Sequence, residues 1–97
     1  MILSFHDEGA EDLYNGRDTR KSRKACPPEL WRKAQMKLQL VRNAKRLDDL
    51  RAPPGNRLEL LEGDRRGQHS IRINDRYRIC FRWTEAGAER VEIVDYH

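Results

Sequence analysis

Ser70-Ile71-Arg72-Ile73-Asn74-Asp75-Arg76-Tyr77-Arg78-Ile79-Cys80-Phe81-Arg82-Trp83 is the stretch that decides the fold. Apolar and polar residues alternate on both sides of Asn74-Asp75-Arg76, the period of strands whose successive side chains leave opposite faces. A three-residue turn at 74–76 sets Ile73 against Tyr77 and Ile71 against Ile79 on one side. Arg72 then lies across from Arg78 on the other. A two-residue turn pairs Ile71 with Arg78 and mixes the faces, so the three-residue turn is preferred. The hairpin therefore has a core face and a second face carrying Arg72 and Arg78, with Arg82 further along. Two facing arginines repel, and neither gives the other a partner. A local conflict of this kind points to an anion-binding surface. Stacking on aromatic neighbours, or pairing with Glu59 and Glu62, accounts for it without a ligand.

Outward from the hairpin, Arg57-Leu58-Glu59-Leu60-Leu61 reads as a strand closed by Gly63-Asp64. Arg90 to Asp95 reads as a last strand after the turn Glu85-Ala86-Gly87-Ala88. Ile2, Leu3 and Phe5 suggest a short first strand. Residues 7–15 suit a short helix stopping near Asn15-Gly16, a pair that tolerates the left-handed conformation. Residues 17–25 are polar and basic, a loop or the fringe of a helix. The strongest helical pattern begins at Pro27-Pro28, since proline fits a first turn and Glu29 suits the N-terminal dipole. Leu30, Ala34, Met36, Leu38, Leu40, Val41, Ala44 and Leu47 fall on one broad arc of that helix. Arg32, Gln35, Gln39, Arg42, Asn43 and Arg46 fall on the other. The helix is expected to end before the turn Pro53-Pro54-Gly55. The fold class is α+β: an antiparallel sheet with one or two helices on one face and the other face polar.

A chain of 97 residues makes one domain, spanning 1–97. Its net charge of +4 is unevenly spread. Residues 1–16 carry four acids and no Lys or Arg, whereas residues 17–46 carry eleven basic groups against Asp18 and Glu29. Such a basic block implies a solvated face, an anionic partner, or both. Cys26 and Cys80 lack a CxxC neighbour, and His6, His69 and His97 show no metal-ligand spacing, so neither a disulfide framework nor a metal site is expected. Without an apolar signal core or a run long enough to span a bilayer, the expected setting is the cytoplasm, with reduced thiols and no membrane partner.

Leu60-Leu61-Glu62-Gly63-Asp64-Arg65 with Gly67, then Ser70-Ile71-Arg72-Ile73-Asn74, Tyr77-Arg78-Ile79 and Phe81, followed by a terminal Asp95-Tyr96-His97, resemble the HigB toxins of the RelE/ParE superfamily. With the Met1 to Phe5 strand and the helix after Cys26, the resemblance covers nearly the whole chain. It implies a RelE-like small twisted antiparallel sheet with two helices packed on one face and a concave, positive active face. It further implies ribosome-dependent cleavage of mRNA, with no metal or other cofactor, by in-line attack of a ribose 2′-hydroxyl. That reaction needs a base, cations for the phosphorane charge and an acid for the departing 5′-oxygen. Asp95, Tyr96 and His97 match the family's terminal catalytic group, with His97 as general acid or base and Tyr96 stacking on a base or donating to phosphate. Asp95 orients the histidine or holds the nucleotide. Arg78 matches the arginine of the third strand and serves as phosphate clamp.

Some HigB toxins carry a histidine and a lysine where this chain has Glu59 and Glu62. Glu59 is either a base or a charge that repels the RNA, and a mild toxin is expected. Arg65 and Arg72, with the exposed stripe of Arg32, Arg42 and Arg46, are assigned to binding mRNA and the ribosome. The resemblance also implies a HigA-type helix-turn-helix antitoxin, through which alone operator DNA is contacted. Two other readings remain open: a ParE-like protein that poisons DNA gyrase without nuclease chemistry, and a basic RNA-binding domain.

Overall fold

The computed structural model describes residues 1–96. Its sheet has four strands in the order β1 (Glu59–Leu60), β2 (His69–Arg72), β3 (Tyr77–Thr84) and β4 (Gly87–Asp95), each antiparallel to the next. The hairpin between β2 and β3 has the expected register, with Ile71 opposite Ile79 and Arg72 opposite Arg78. Asn74 ties the turn, its side-chain oxygen accepting from the N–H groups of Arg76 and Tyr77 at 2.9 and 2.7 Å. Ile71, Ile79 and Ile93 form one row across three strands. Phe81, Ala88 and Val91 of the sheet, and Ile73 just past β2, join them in the core.

The strand ends differ from expectation for local reasons. β4 starts at Gly87 rather than Arg90, because the Thr84 hydroxyl donates to the Gly87 carbonyl at 2.9 Å and accepts from the Ala86 and Gly87 N–H groups at 3.2 Å. β1 is shorter than 57–61: Arg57 takes a left-handed φ of 46° at the end of a 3-10 turn, Pro54–Asn56. Leu60 is 65% exposed, whereas Leu61 is buried. The N-terminal segment makes two parallel bridges to β4, Ile2 with Ala88 and Phe5 with Val91, rather than a continuous strand. Between them Arg90 adopts φ 55°, and its N–H turns to Ser4 Oγ at 2.9 Å. The β3–β4 pairing slips here, from Cys80–Glu92 to Arg82–Glu89, so a bulge places Arg90 and Val91 opposite Phe81.

Helix α1 (Glu8–Tyr14) begins where Asp7 accepts from the Ala10 N–H at 2.9 Å and ends at Asn15, as expected. Residues 17–25 are more than a loop. They contain α2 (Arg20–Ala25), started by a reciprocal cap in which Thr19 Oγ1 accepts from the Ser22 N–H and Ser22 Oγ from the Thr19 N–H, at 3.0 and 2.8 Å. Gly9 lets α2 lie close, since a Cβ there would stand 2.6 Å from the Lys21 carbonyl oxygen.

Helix α3 (Trp31–Asn43) follows a 3-10 turn, Pro28–Leu30, and stops well short of Pro53. The Asp49 carboxylate takes the Lys45 and Arg46 N–H groups at 3.0 Å each and starts a separate 3-10 turn, Leu47–Arg51. Ala34, Leu38 and Val41 are buried, as the apolar arc requires, but Met36 is 62% exposed. At about 100° per residue Met36 stands about 160° from Leu38, so the buried arc of α3 is narrower than the apolar pattern and excludes Met36. Helices α1 and α3 pack on β4, and α2 packs on α1.

Candidate active site

Strand pairing sets out the residues on the sheet face turned away from α1 and α3. Glu59, Ser70, Cys80 and Glu92 form one row across all four strands. Arg72, Arg78 and Val94 form the next. By alternation Tyr96 continues on the side of Val94, and its N–H donates to the Arg76 carbonyl at 2.5 Å.

Arg78 is the centre of this face. Its side chain is 13% exposed and is held along one edge of the guanidinium: Nε donates to Ser70 Oγ at 2.8 Å and Nη2 to the Arg57 carbonyl at 2.7 Å. Glu59 Oε2 stands 3.9 Å from the same Nη2, with the Glu59 side chain 57% exposed. Arg72, directly opposite, pairs with Asp75. The conflict between facing arginines is thus relieved on two separate sides, and Arg78 keeps a fixed orientation toward the open face.

Arg65 projects from a 3-10 turn, Gly63–Arg65, over the row containing Cys80 and Glu92. Its Nη1 is 2.5 Å from Glu92 Oε1 and 3.3 Å from Gln68 Oε1. The Glu92 hydrogen bond, with its charge, raises the guanidinium pKa despite partial burial, so Arg65 stays cationic. Between that turn and the end of β4 lies an open cavity of about 320 Å³, lined by Glu62, Asp64, Arg65, Val94, Asp95 and Tyr96. The Asp95 carboxylate is gripped by Arg76, whose Nε and Nη2 donate to its two oxygens at 2.8 Å each. Cys80 lies beneath this face, and burial pushes its thiol up to about 11 although Arg65 and Arg78 pull it down. A neutral thiol of this kind is no nucleophile.

The structure therefore gathers Arg78, Arg72, Arg65, Glu59 and Tyr96 around one face, with Asp95 at its margin on Arg76. His97 lies outside the described residues. Arg32 and Arg42 are exposed on α3 and Arg46 just beyond it, on the helix side of the sheet and apart from Arg78. Arg46 Nη2 is 3.9 Å from Asp48. Ser70, Glu92 and Arg76 have no site role in the reading of the sequence. Glu92 could have been given one, since it alternates with Ile93 and must share a side with Val94 and Arg78. The Arg57 carbonyl could not, because it depends on a left-handed backbone that no pattern announces.

Three cationic side chains beside two carboxylates can bind a phosphodiester and place a titratable group next to it. Among the described residues, His6, Asp7 and Glu92 bring potential metal-ligand atoms within 4.8 Å of one another.

A family model matching residues 3–97 describes a RelE-like toxin of the type II toxin–antitoxin system HigB. Toxin HigB-1 of Vibrio cholerae serotype O1 is 38% identical over 88 residues, which covers 91% of this chain and 90% of that one. An uncharacterized protein of Haemophilus influenzae is 33% identical over 79 residues, covering 81% and 75%. Among solved structures, a YoeB–YefM complex from Staphylococcus aureus superposes with a TM-score of 0.61 at 15% identity, over 100% of this chain and 98% of the other. A heterotetrameric complex of the same pair gives 0.56 at 16%, over the same shares. At such identities the likeness concerns the fold alone.

Proposed function

Because the chain belongs to the HigB-like family of RelE-like toxins of type II toxin–antitoxin systems, we propose that it is an endoribonuclease that cuts mRNA on the ribosome. In this reading it works in the cytoplasm and is silenced by a HigA-type helix-turn-helix antitoxin, which alone contacts operator DNA. Among the described residues no helix is long and apolar enough to cross a membrane.

The observation that supports cleavage is the anchoring of Arg78 by Ser70 Oγ and the Arg57 carbonyl, with Arg72 beside it and Arg65 over the adjoining row. A guanidinium already oriented by the protein loses little freedom on meeting a phosphate and presents paired donors to two of its oxygens. Arg78 is the clamp that stabilises the extra negative charge of the phosphorane. The 2′-oxygen attacks phosphorus, its proton passes to a base, and the 5′-oxygen leaves with a proton from an acid. His97 takes one of these proton roles and Glu59, close to Arg78, is a candidate for the other. Tyr96 is exposed enough to stack on a base or donate to the phosphate, and Asp95, held by Arg76, orients the terminal group.

The ends of the products test this route. In-line attack by the 2′-oxygen leaves a 2′,3′-cyclic phosphate upstream and a 5′-hydroxyl downstream. Downstream fragments from ribosome-bound message should therefore accept phosphate from polynucleotide kinase without phosphatase treatment. Fragments that carry a 5′-phosphate contradict it.

A further inference from the structure

Potential metal ligands meet at the edge of β4, on the far side of Glu92 from Arg65. His6 ends the N-terminal segment, Asp7 caps α1 and Glu92 lies within β4. One ring nitrogen of His6 and one carboxylate oxygen from each acid all fall within 4.8 Å of one another. We infer that His6, Asp7 and Glu92 form a divalent-cation site suited to Zn²⁺.

Both carboxylates are positioned by a second partner, and His6 is fixed through its backbone. The His6 N–H donates to the Val91 carbonyl at 2.9 Å, which fixes the backbone beside Glu92. Asp7 Oδ1 accepts from the Ala10 N–H at 2.9 Å, so the second oxygen is left for a cation. Glu92 Oε1 is held by Arg65 at 2.5 Å, while Oε2 lies 3.8 Å from His6 Nε2. Bonds of about 2.0–2.2 Å to a tetrahedral zinc space the ligand atoms about 3.3 Å apart, so small side-chain rotations close the site. One imidazole and two carboxylates are ligands that Zn²⁺ accepts, and three protein donors leave a further position for water. Arg65 and Ala10 act as the outer partners that orient the two carboxylates.

The site opens on a groove of about 560 Å³ that Lys21 and Lys24 also line. Lys21 is neutralised by Glu8, with Nζ 2.7 Å from Oε2. Two carboxylates face the cation, and Arg65 offsets part of one. The cleavage chemistry proposed above makes no use of this ion, and the inference stands or falls separately from it.

Calorimetric titration of ZnCl₂ into the full chain, in a buffer that does not coordinate zinc, tests the site. The expected result is saturable binding of one ion per chain, weakened about tenfold or more by His6→Ala and by Asp7→Asn. Asparagine keeps an oxygen for the α1 cap, so lost affinity in Asp7→Asn does not report lost folding. Equal affinity in wild type and both variants would place the ion elsewhere on the chain. No saturation up to about 1 mM Zn²⁺ would remove the site. Either of these overturns the inference.

Discussion

Arg65 and Glu92 are separated by 27 residues, yet Nη1 of one lies 2.5 Å from Oε1 of the other across the polar face of the sheet. The contact pins the 3-10 turn Gly63–Arg65 to β4 and so forms one wall of the cavity beside Tyr96. Glu92 is mostly withdrawn from water, which makes the pair more than a surface ornament.

Glu92→Gln keeps the shape and an acceptor oxygen but removes the charge. A hydrogen bond between charged groups contributes about 1.5–3 kcal/mol, and a neutral amide recovers part of it, so a loss of about 1–2 kcal/mol is expected in urea denaturation. An unchanged midpoint would mean that the turn is anchored by other contacts.

Leu38→Ala and Met36→Ala, two positions on one helix, should separate widely. Leu38 is completely buried and its truncation is expected to cost about 2–5 kcal/mol. Met36 is exposed on the far side of α3, and its truncation should stay within about 0.5 kcal/mol. Similar losses at both would contradict the orientation of α3.

The hairpin could be read from sequence because Ile71, Ile73, Tyr77 and Ile79 admit a single register that keeps charge off the core, and Arg78 was placed with it. What holds Arg78 was hidden, since the Arg57 carbonyl reaches it through a left-handed residue after a proline turn. Helix α2 has six residues and one fully buried polar side chain, Ser22, so no apolar stripe marks it. Its only signal is Thr19 three residues before Ser22. The end of α3 is hidden in the sequence because Leu47 continues its apolar arc, whereas Asp49 takes the N–H groups of Lys45 and Arg46 away from helix continuation. Glu92 meets Arg65 and His6 only through the order of the strands, information that no local spacing contains.

Stability should fall in alkali through the buried thiols. Burial pushes both Cys26 and Cys80 up from the ordinary 9.0 to about 11. A group whose folded pKa exceeds its unfolded one stabilises fully below the unfolded pKa, and that contribution is lost as pH rises through the folded value. The urea midpoint of the wild type should therefore drop between about pH 9 and 11, more steeply than that of a Cys26→Ala/Cys80→Ala variant. Parallel curves would show that the thiols are not responsible.

Reversing Arg32 and Arg42 to glutamate should weaken association with ribosomes in a pelleting assay while leaving cut positions unchanged. The two lie on α3, away from Arg78, where phosphate contacts add affinity and little base selectivity. Unchanged pelleting would remove α3 from the ribosome-facing surface, and shifted cut positions would place it near the message.

The most direct measurement is primer extension on an mRNA under translation in a purified system, with wild type, Arg78→Ala and His97→Ala. Discrete stops that require ribosomes, and that weaken about tenfold or more in both folded variants, are the predicted result. Variants that cut as well as wild type would contradict the assigned site. No cuts at stoichiometric protein, with gyrase supercoiling inhibited in parallel, would contradict the nuclease reading itself.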